Sequence, residues 1–310
     1  VGPGAVGAYL AAHLTAAGRK VVGCARRPFD WYLVESREHP TEGPAHVVVD
    51  PERLDGTPWD VVLVCVKVTA TPSIGPWLER LCGPDTLTVC VQNGLDSSEA
   101  VAALVPAGGT LPSVVYCGVQ LVAPGHVRHT AGSKLVVPAG DDAADLVAAV
   151  FAGSAVEVEL EADFATAVWR KLGVNVAVNG ITALTDRTTD LFHARPDAAR
   201  LSSDLIRECW RIARLDGADL PDELAVQTAA NLAARPIGAG TSMLYDRRAG
   251  VPTEHDAIYG AVVRVAGIAA LGRAVVERVV APVEGVERAD VADDHLLLVG
   301  VAGEGAERLA

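Results

Sequence analysis

The feature that most constrains this chain is the alternation of continuous apolar runs with helix-like segments through its first half. Residues 61–66 and 86–91 are unbroken apolar or β-branched stretches, as expected of parallel strands buried on both faces. Shorter strands are predicted at 20–23 and 47–49. Helices are predicted at 5–17 (stopping at Gly18), 72–82, 97–105 (capped by Asp96 or Ser97) and 141–151. Such alternation implies a doubly wound parallel sheet. From residue 114 the pattern changes. Strands at 114–122, 126–130 and 134–137, broken by Pro124-Gly125 and Gly132, predict an antiparallel extension, followed by a strand at 156–160. Beyond residue 163 the strands stop, and helices are predicted at 163–185, 196–215, 221–233 and 254–278. The expected organisation is an α/β sheet domain over 1–161 and an all-helical domain over 162–310. The tail after Glu287 has no assigned role, and 295–301 fits either a short strand or an irregular turn.

The sequence has 310 residues, half of them hydrophobic, enough for two cores. A formal net charge of -13 argues against a general nucleic-acid binder, while leaving room for a local basic pocket. The longest late apolar stretch, 261–280, is interrupted by Arg264, Arg273, Glu277 and Arg278, so no membrane span is expected. The chain opens directly in a glycine motif rather than a leader. With six cysteines that form no C-x-x-C pair, this points to buried, reduced thiols in the cytoplasm. The histidines do not join the cysteines at zinc-ligand spacing, so no metal is expected. Of 26 basic residues only Lys20, Lys67, Lys134 and Lys171 are lysines. Lysine, unlike arginine, can shift its pKa and transfer a proton, which draws attention to Lys67 and Lys171.

Within 163–185 runs the segment Trp169-Arg170-Lys171-Leu172-Gly173-Val174-Asn175-Val176-Ala177-Val178-Asn179. Lys171, Asn175 and Asn179 are spaced four and four, so they share one face of a helix that is otherwise almost wholly apolar. Such a helix is buried, and buried polar groups need partners. Either a helix–helix polar contact or a bound ligand would provide them.

The opening, Gly2-Pro3-Gly4-Ala5-Val6-Gly7, has the G-x-G-x-x-G spacing that holds a dinucleotide when it lies between a strand and a helix. Gly2, Gly4, Ala5, Val6 and Gly7 are therefore cofactor-binding candidates in a Rossmann-type fold. The strand before them is nearly absent, so a few further residues upstream are expected. After the second strand stands Arg26-Arg27, where an NAD site carries an acid. The pair is either solvated or placed for a 2′-phosphate, and the latter selects NADP(H). Lys67 and Asn93-Gly94 follow the two long apolar runs, at the strand ends where ligands of open α/β sheets bind. A solvated loop and a tight turn are their alternatives.

A further block reads Thr241-Ser242-Met243-Leu244-Tyr245-Asp246, followed after six residues by Thr253-Glu254-His255-Asp256-Ala257-Ile258-Tyr259-Gly260. Taken with Gly2–Gly7, Lys67, Gln92-Asn93-Gly94 and 169–179, the sequence resembles the ketopantoate reductases over residues 1 to about 267. The resemblance implies reduction of 2-dehydropantoate to pantoate with NADPH, on the route to pantothenate and coenzyme A. It implies Lys171 as general acid and Glu254 as a site carboxylate. Asn93, Asn175, Asn179 and Ser242 would bind substrate, with Asn93 also near the nicotinamide. Arg26 would hold the 2′-phosphate, and Lys67 would lie on the cofactor side. A hydride arriving at a ketone carbon leaves an alkoxide, and a lysine in a partly apolar site supplies both charge and proton. Helix capping is the bland alternative for Ser242 and Glu254.

Three departures from the family pattern bear on the substrate. His255 and Tyr259 replace the more usual Ile and Asn, and the closing segment around Leu271 lacks the family's Pro and Asn or Thr. An NADPH-dependent reductase of another 2-keto acid, or of an imine, is thus a second expectation. A non-catalytic NADP(H)-binding redox sensor is a third, although it would have no need of Lys171 and Glu254 together. The partners expected are a small 2-keto acid, no nucleic acid and no membrane. A homodimer is compatible with the sequence.

Overall fold

The computed structural model describes residues 1–233 and 238–267. Helix α1 (Ala5–Ala16) is buried along most of its length and stops where Gly18 turns to φ +79°. There the Gly18 and Arg19 N–H groups close back on Thr15 and Leu14. Strands β1 (Gly23–Cys24), β2 (Trp31–Glu35), β3 (Thr41–Pro44) and β4 (Val47–Val48) follow. Next come β5 (Val61–Val64), α2 (Gly75–Leu81), β6 (Leu87–Cys90), α3 (Ser97–Ala102) and β7 (Gly109–Pro112).

Parallel pairing joins β4 to β1, β5 to β6 and β6 to β7. Residues 1–2 fill the gap between β1 and β5. The Gly2 N–H donates to Cys24 O at 2.9 Å, the Val1 amino group to Leu63 O at 2.6 Å, and the Cys65 N–H to Val1 O at 2.9 Å. The spatial order β4, β1, residues 1–2, β5, β6, β7 is the doubly wound dinucleotide-binding order.

A second sheet carries β8 (Val114–Ala123), β9 (His126–Pro138) and β10 (Glu157–Glu161), the last reached through α4 (Asp142–Phe151). Strand β9 pairs antiparallel with β8 and parallel with both β2 and β10. The expected antiparallel extension is present, with two differences. The strands expected at 126–130 and 134–137 are one, because Gly132, at φ +70°, absorbs an irregularity in the β8–β9 register without ending the pairing. Strands β2, β3 and β7 were not foreseen. The pattern of β2, with Tyr32 and Val34 inward, alternates over only five residues.

The remaining described elements are helical: α5 (Phe164–Thr185), α6 (Leu191–Ala194), α7 (Pro196–Leu215), α8 (Asp222–Ala233) and α9 (Ser242–Arg248). A π-helical turn at Asp256–Gly260 leads into α10 (Ala261–Ala266). Asp163 starts α5 by accepting the Thr166 N–H at 3.1 Å, and Asp186 ends it in the left-handed region at φ 53°. The single helix expected over 254–278 is instead this π turn and α10, which ends where Gly267 turns to φ +60°. The positions 268–278, with Leu271 among them, and the tail after Glu287 lie outside the described residues. Trp169, Leu205, Trp210 and Ile258 anchor an apolar cluster in the helical part. Separate clusters lie under the mixed sheet (Tyr9, Leu10, Leu135, Val147) and around β5 and β6 (Val64, Leu78, Val101). Among the described residues no helix is long and apolar enough to cross a membrane.

Candidate active site

The glycine turn is read from its contacts. Gly2 stands at φ +81°, and a side chain there would strike Val66. A Cβ on Gly7 would meet Gly2 O at 2.5 Å, so the third glycine sets the close approach of α1 to the sheet. A Cβ on Gly4 would meet nothing within 4 Å. Gly4 is the N-cap of α1 and supplies no side-chain cap. The open surface over Gly4, with the uncapped first turn formed by Ala5, Val6 and Gly7, could hold a pyrophosphate. Arg26 and Arg27 lie exposed just past β1, on the same carboxyl edge of the sheet.

One strand further, Lys67 follows β5 and its ammonium lies 2.8 Å from Asp246 Oδ2 and 3.4 Å from Glu254 Oε2. Burial works against its charge, but the two carboxylates outweigh that and hold the Lys67 pKa above its usual value. The Asp246 pKa is raised as well, because its burial outweighs the partial offset from Lys67. Glu254 is buried and well satisfied. Its Oε1 accepts the Val68 N–H at 3.0 Å, and its Oε2 accepts from Asn93 Nδ2 at 3.2 Å as well as from Lys67. Asn93 follows β6, and its neighbour Gly94 takes φ +103°. A side chain at 94 would strike Ala257 O at 2.8 Å, so only glycine lets this strand end approach the π turn. Gln92 locks the turn from beneath by donating to Val66 O and Thr71 Oγ1, both at 2.9 Å.

Helix α5 presents the polar stripe. Asn175 and Asn179 are buried, and Lys171 is half-buried with its ammonium 4.9 Å from the centre of the Tyr116 ring. A cavity of about 160 Å³ opens between α5 and the ends of β6 and β7. Asn93, Lys171 and Asn175 line it, along with Ser113, Phe164 and Val168. Asn179 lies one turn deeper and does not line this cavity. Its Nδ2 is buried without a hydrogen-bond partner among the described residues. Ser242 is exposed at the first position of α9, and the capping oxygen belongs to Thr241, which accepts the Leu244 N–H at 3.2 Å. The Thr241 hydroxyl also lies 2.7 Å from that of Thr182 on α5, which fixes the start of α9 against the helix bearing the stripe.

The structure therefore gathers the candidates into three groups. Gly2–Gly7 and Arg26 lie on the sheet edge. Lys67, Asn93 and Glu254 form one network. Lys171 and Asn175 share a cavity with Asn93. Sequence reasoning gave no role to Asp246, although it belongs to the same block as Ser242, nor to Gln92, whose neighbour was singled out.

A doubly wound sheet with a glycine-turn cradle, facing a helix that brings a lysine to the strand ends, defines a nicotinamide-dependent oxidoreductase. The comparisons make this narrower. Residues 1–142 match the family described as Ketopantoate reductase PanE/ApbA, and residues 163–287 match Ketopantoate reductase PanE/ApbA C terminal. The 2-dehydropantoate 2-reductase of Mycobacterium tuberculosis is 37% identical over 267 residues, covering 86% of this chain and 89% of that protein. The crystal structure of 2-dehydropantoate 2-reductase from Geobacter metallireducens superposes with a TM-score of 0.81 at 25% identity, covering 90% of this chain and 97% of that one. A dimeric ketopantoate reductase from Staphylococcus aureus superposes with a TM-score of 0.78 at 25% identity, over 90% and 95% of the two chains. The chain belongs to the ketopantoate reductase family.

Proposed function

We propose that this protein reduces 2-dehydropantoate to pantoate with NADPH. The observation that carries the reading is the shared cavity of Lys171, Asn175 and Asn93 at the ends of β6 and β7. The bound nicotinamide would supply a hydride to the substrate's carbonyl carbon. Lys171 would donate its proton to the carbonyl oxygen as negative charge develops there. Asn175 and Asn93 can donate their amide N–H groups to substrate oxygens, fixing the carbonyl's orientation, and Ser242 and Asn179, outside the cavity lining, would be further substrate contacts. Glu254 would act by holding Asn93 and Lys67 in place, with Lys67 on the cofactor side. Gly2, Gly4, Ala5, Val6 and Gly7 would hold the pyrophosphate, and Arg26 the 2′-phosphate that separates NADPH from NADH. We take 1–161 as the cofactor domain and 162–310 as the substrate domain.

Steady-state rates with 2-dehydropantoate, measured with NADPH and with NADH, test the reading. Pantoate formation with a clear NADPH preference supports it. Turnover with NADH alone would remove the role given to Arg26, and no pantoate from either cofactor would remove the substrate. Tyr259 and His255 favour a second reading, a reductase of a differently shaped 2-keto acid or an imine. A panel of such compounds decides between the two.

The family relationship to a dimeric protein makes a homodimer the assembly to test first, and a monomer mass by light scattering would contradict it. Six unpaired thiols suit a reducing compartment, so we place the protein in the cytoplasm. Recovery of the native protein in a periplasmic or secreted fraction would contradict that placement.

A further inference from the structure

The Tyr259 hydroxyl occupies an unusual position. It accepts the Gly180 N–H at 2.6 Å and donates to Val176 O at 3.0 Å. Gly180 and Val176 are the donor and acceptor of one i→i−4 rung of α5. A phenol hydroxyl has one proton to give and lone pairs to receive, so a single group can bridge both members of a rung. Side chains that enter the helical ladder in this way bend the helix or open it locally.

The place of this insertion matters more than its existence. Val176 directly follows Asn175, and Gly180 directly follows Asn179. The splinted rung thus opens directly after Asn175 and closes directly after Asn179. Before it lie Lys171 and Asn175, which line the cavity. Within it lies Asn179, whose buried Nδ2 has no hydrogen-bond partner among the described residues. Burial holds the Tyr259 pKa well above its usual value, so the hydroxyl keeps the proton it donates to Val176. The ring belongs to the same apolar cluster as Val176, Ile258 and Val262, and the π turn beginning two residues after Glu254 carries it there.

We infer that Tyr259 is a positioning residue that sets the angle of Asn179 relative to Lys171 and Asn175, and so tunes recognition of an oxygen distant from the substrate's keto group. This rests on the 2-keto-acid reading above. The keto group is met by Lys171, Asn175 and Asn93. A substrate with a further hydroxyl needs Asn179 at a fixed distance from them, and Tyr259 fixes it.

The test compares 2-dehydropantoate with trimethylpyruvate, which has the same branched skeleton without the hydroxyl, in wild type and Tyr259→Phe. The expected result is a KM for 2-dehydropantoate raised about tenfold or more with little change in kcat, since misplacing one contact weakens binding throughout the reaction. Constants for trimethylpyruvate and the NADPH Kd should stay within about twofold, because neither uses the misplaced contact. In an Asn179→Ala background, Tyr259→Phe should have no further effect on the preference. An unchanged ratio between the two substrates overturns the inference, as does an equal loss on both, which marks a purely structural role. If Tyr259→Phe does not fold, Tyr259→Met carries the same expectation. A wild type inactive on every 2-keto acid would overturn the functional reading itself, and the inference with it.

Discussion

Glu254 accepts a hydrogen bond from Asn93, 161 residues earlier, across 3.2 Å between Oε2 and Nδ2. The same carboxylate takes the Val68 N–H and faces Lys67, so one side chain from the helical part ties together two adjacent strand ends. The cavity wall formed by Asn93 depends on it.

Glu254→Ala leaves the Val68 N–H without its acceptor and Lys67 with Asp246 alone. Breaking a buried, charge-assisted network by removing one partner costs about 3 kcal/mol or more. Calorimetry should show a clear loss of Tm for Glu254→Ala and a smaller one for Glu254→Gln, which keeps an acceptor for Val68. Equal stability of Glu254→Ala and wild type would show that the network does not tie the strand ends.

Arg26→Ala should weaken NADPH and leave NADH nearly unchanged. A charge-assisted hydrogen bond to phosphate is worth about 1.5–3 kcal/mol, or roughly tenfold to a hundredfold in Kd. Fluorescence titration of both cofactors checks this, and the NADPH affinity of wild type should fall with added salt. Equal loss on NADPH and NADH would place Arg26 away from the 2′-phosphate.

Stability should fall in mild acid because of His13. Its ring is buried, Nε2 has no partner among the described residues, and burial together with His39 and His129 lowers its pKa from 6.5 to about 4. Below about pH 6.5 the unfolded chain takes up a proton that the folded chain refuses until about pH 4. Stability is therefore complete above that window and declines through it, by about 3 kcal/mol at full extent. Denaturant titrations at pH 7 and pH 5 should differ, and His13→Phe should narrow the difference. An unchanged pH slope in that variant would assign the effect to other groups.

Local chemistry made much of this architecture legible. Residues 196–215 are helical to the residue, because a proline at the first position and a continuous amphipathic pattern mark both ends. Lys67 and Asn93 stand past the ends of β5 and β6, as continuous apolar runs followed by a polar residue imply. Short elements were harder to see. Helix α9 has seven residues and is announced only by Thr241, and β7 is closed by a proline that reads equally as a turn. The network around Glu254 could not be read at all. Asp246 lies 179 residues from Lys67, and no local pattern encodes that distance. The Tyr259 bridge to α5 is hidden for the same reason, although the residue stood out as a departure.

The central claim is that Lys171 protonates the product of hydride transfer. Its most direct test is NADPH consumption with 2-dehydropantoate by wild type and Lys171→Ala, with NADPH binding measured on both. In Lys171→Ala, kcat is expected to fall by about 10²–10⁴-fold while the NADPH Kd stays within about twofold. Turnover by Lys171→Ala at the wild-type rate would contradict it.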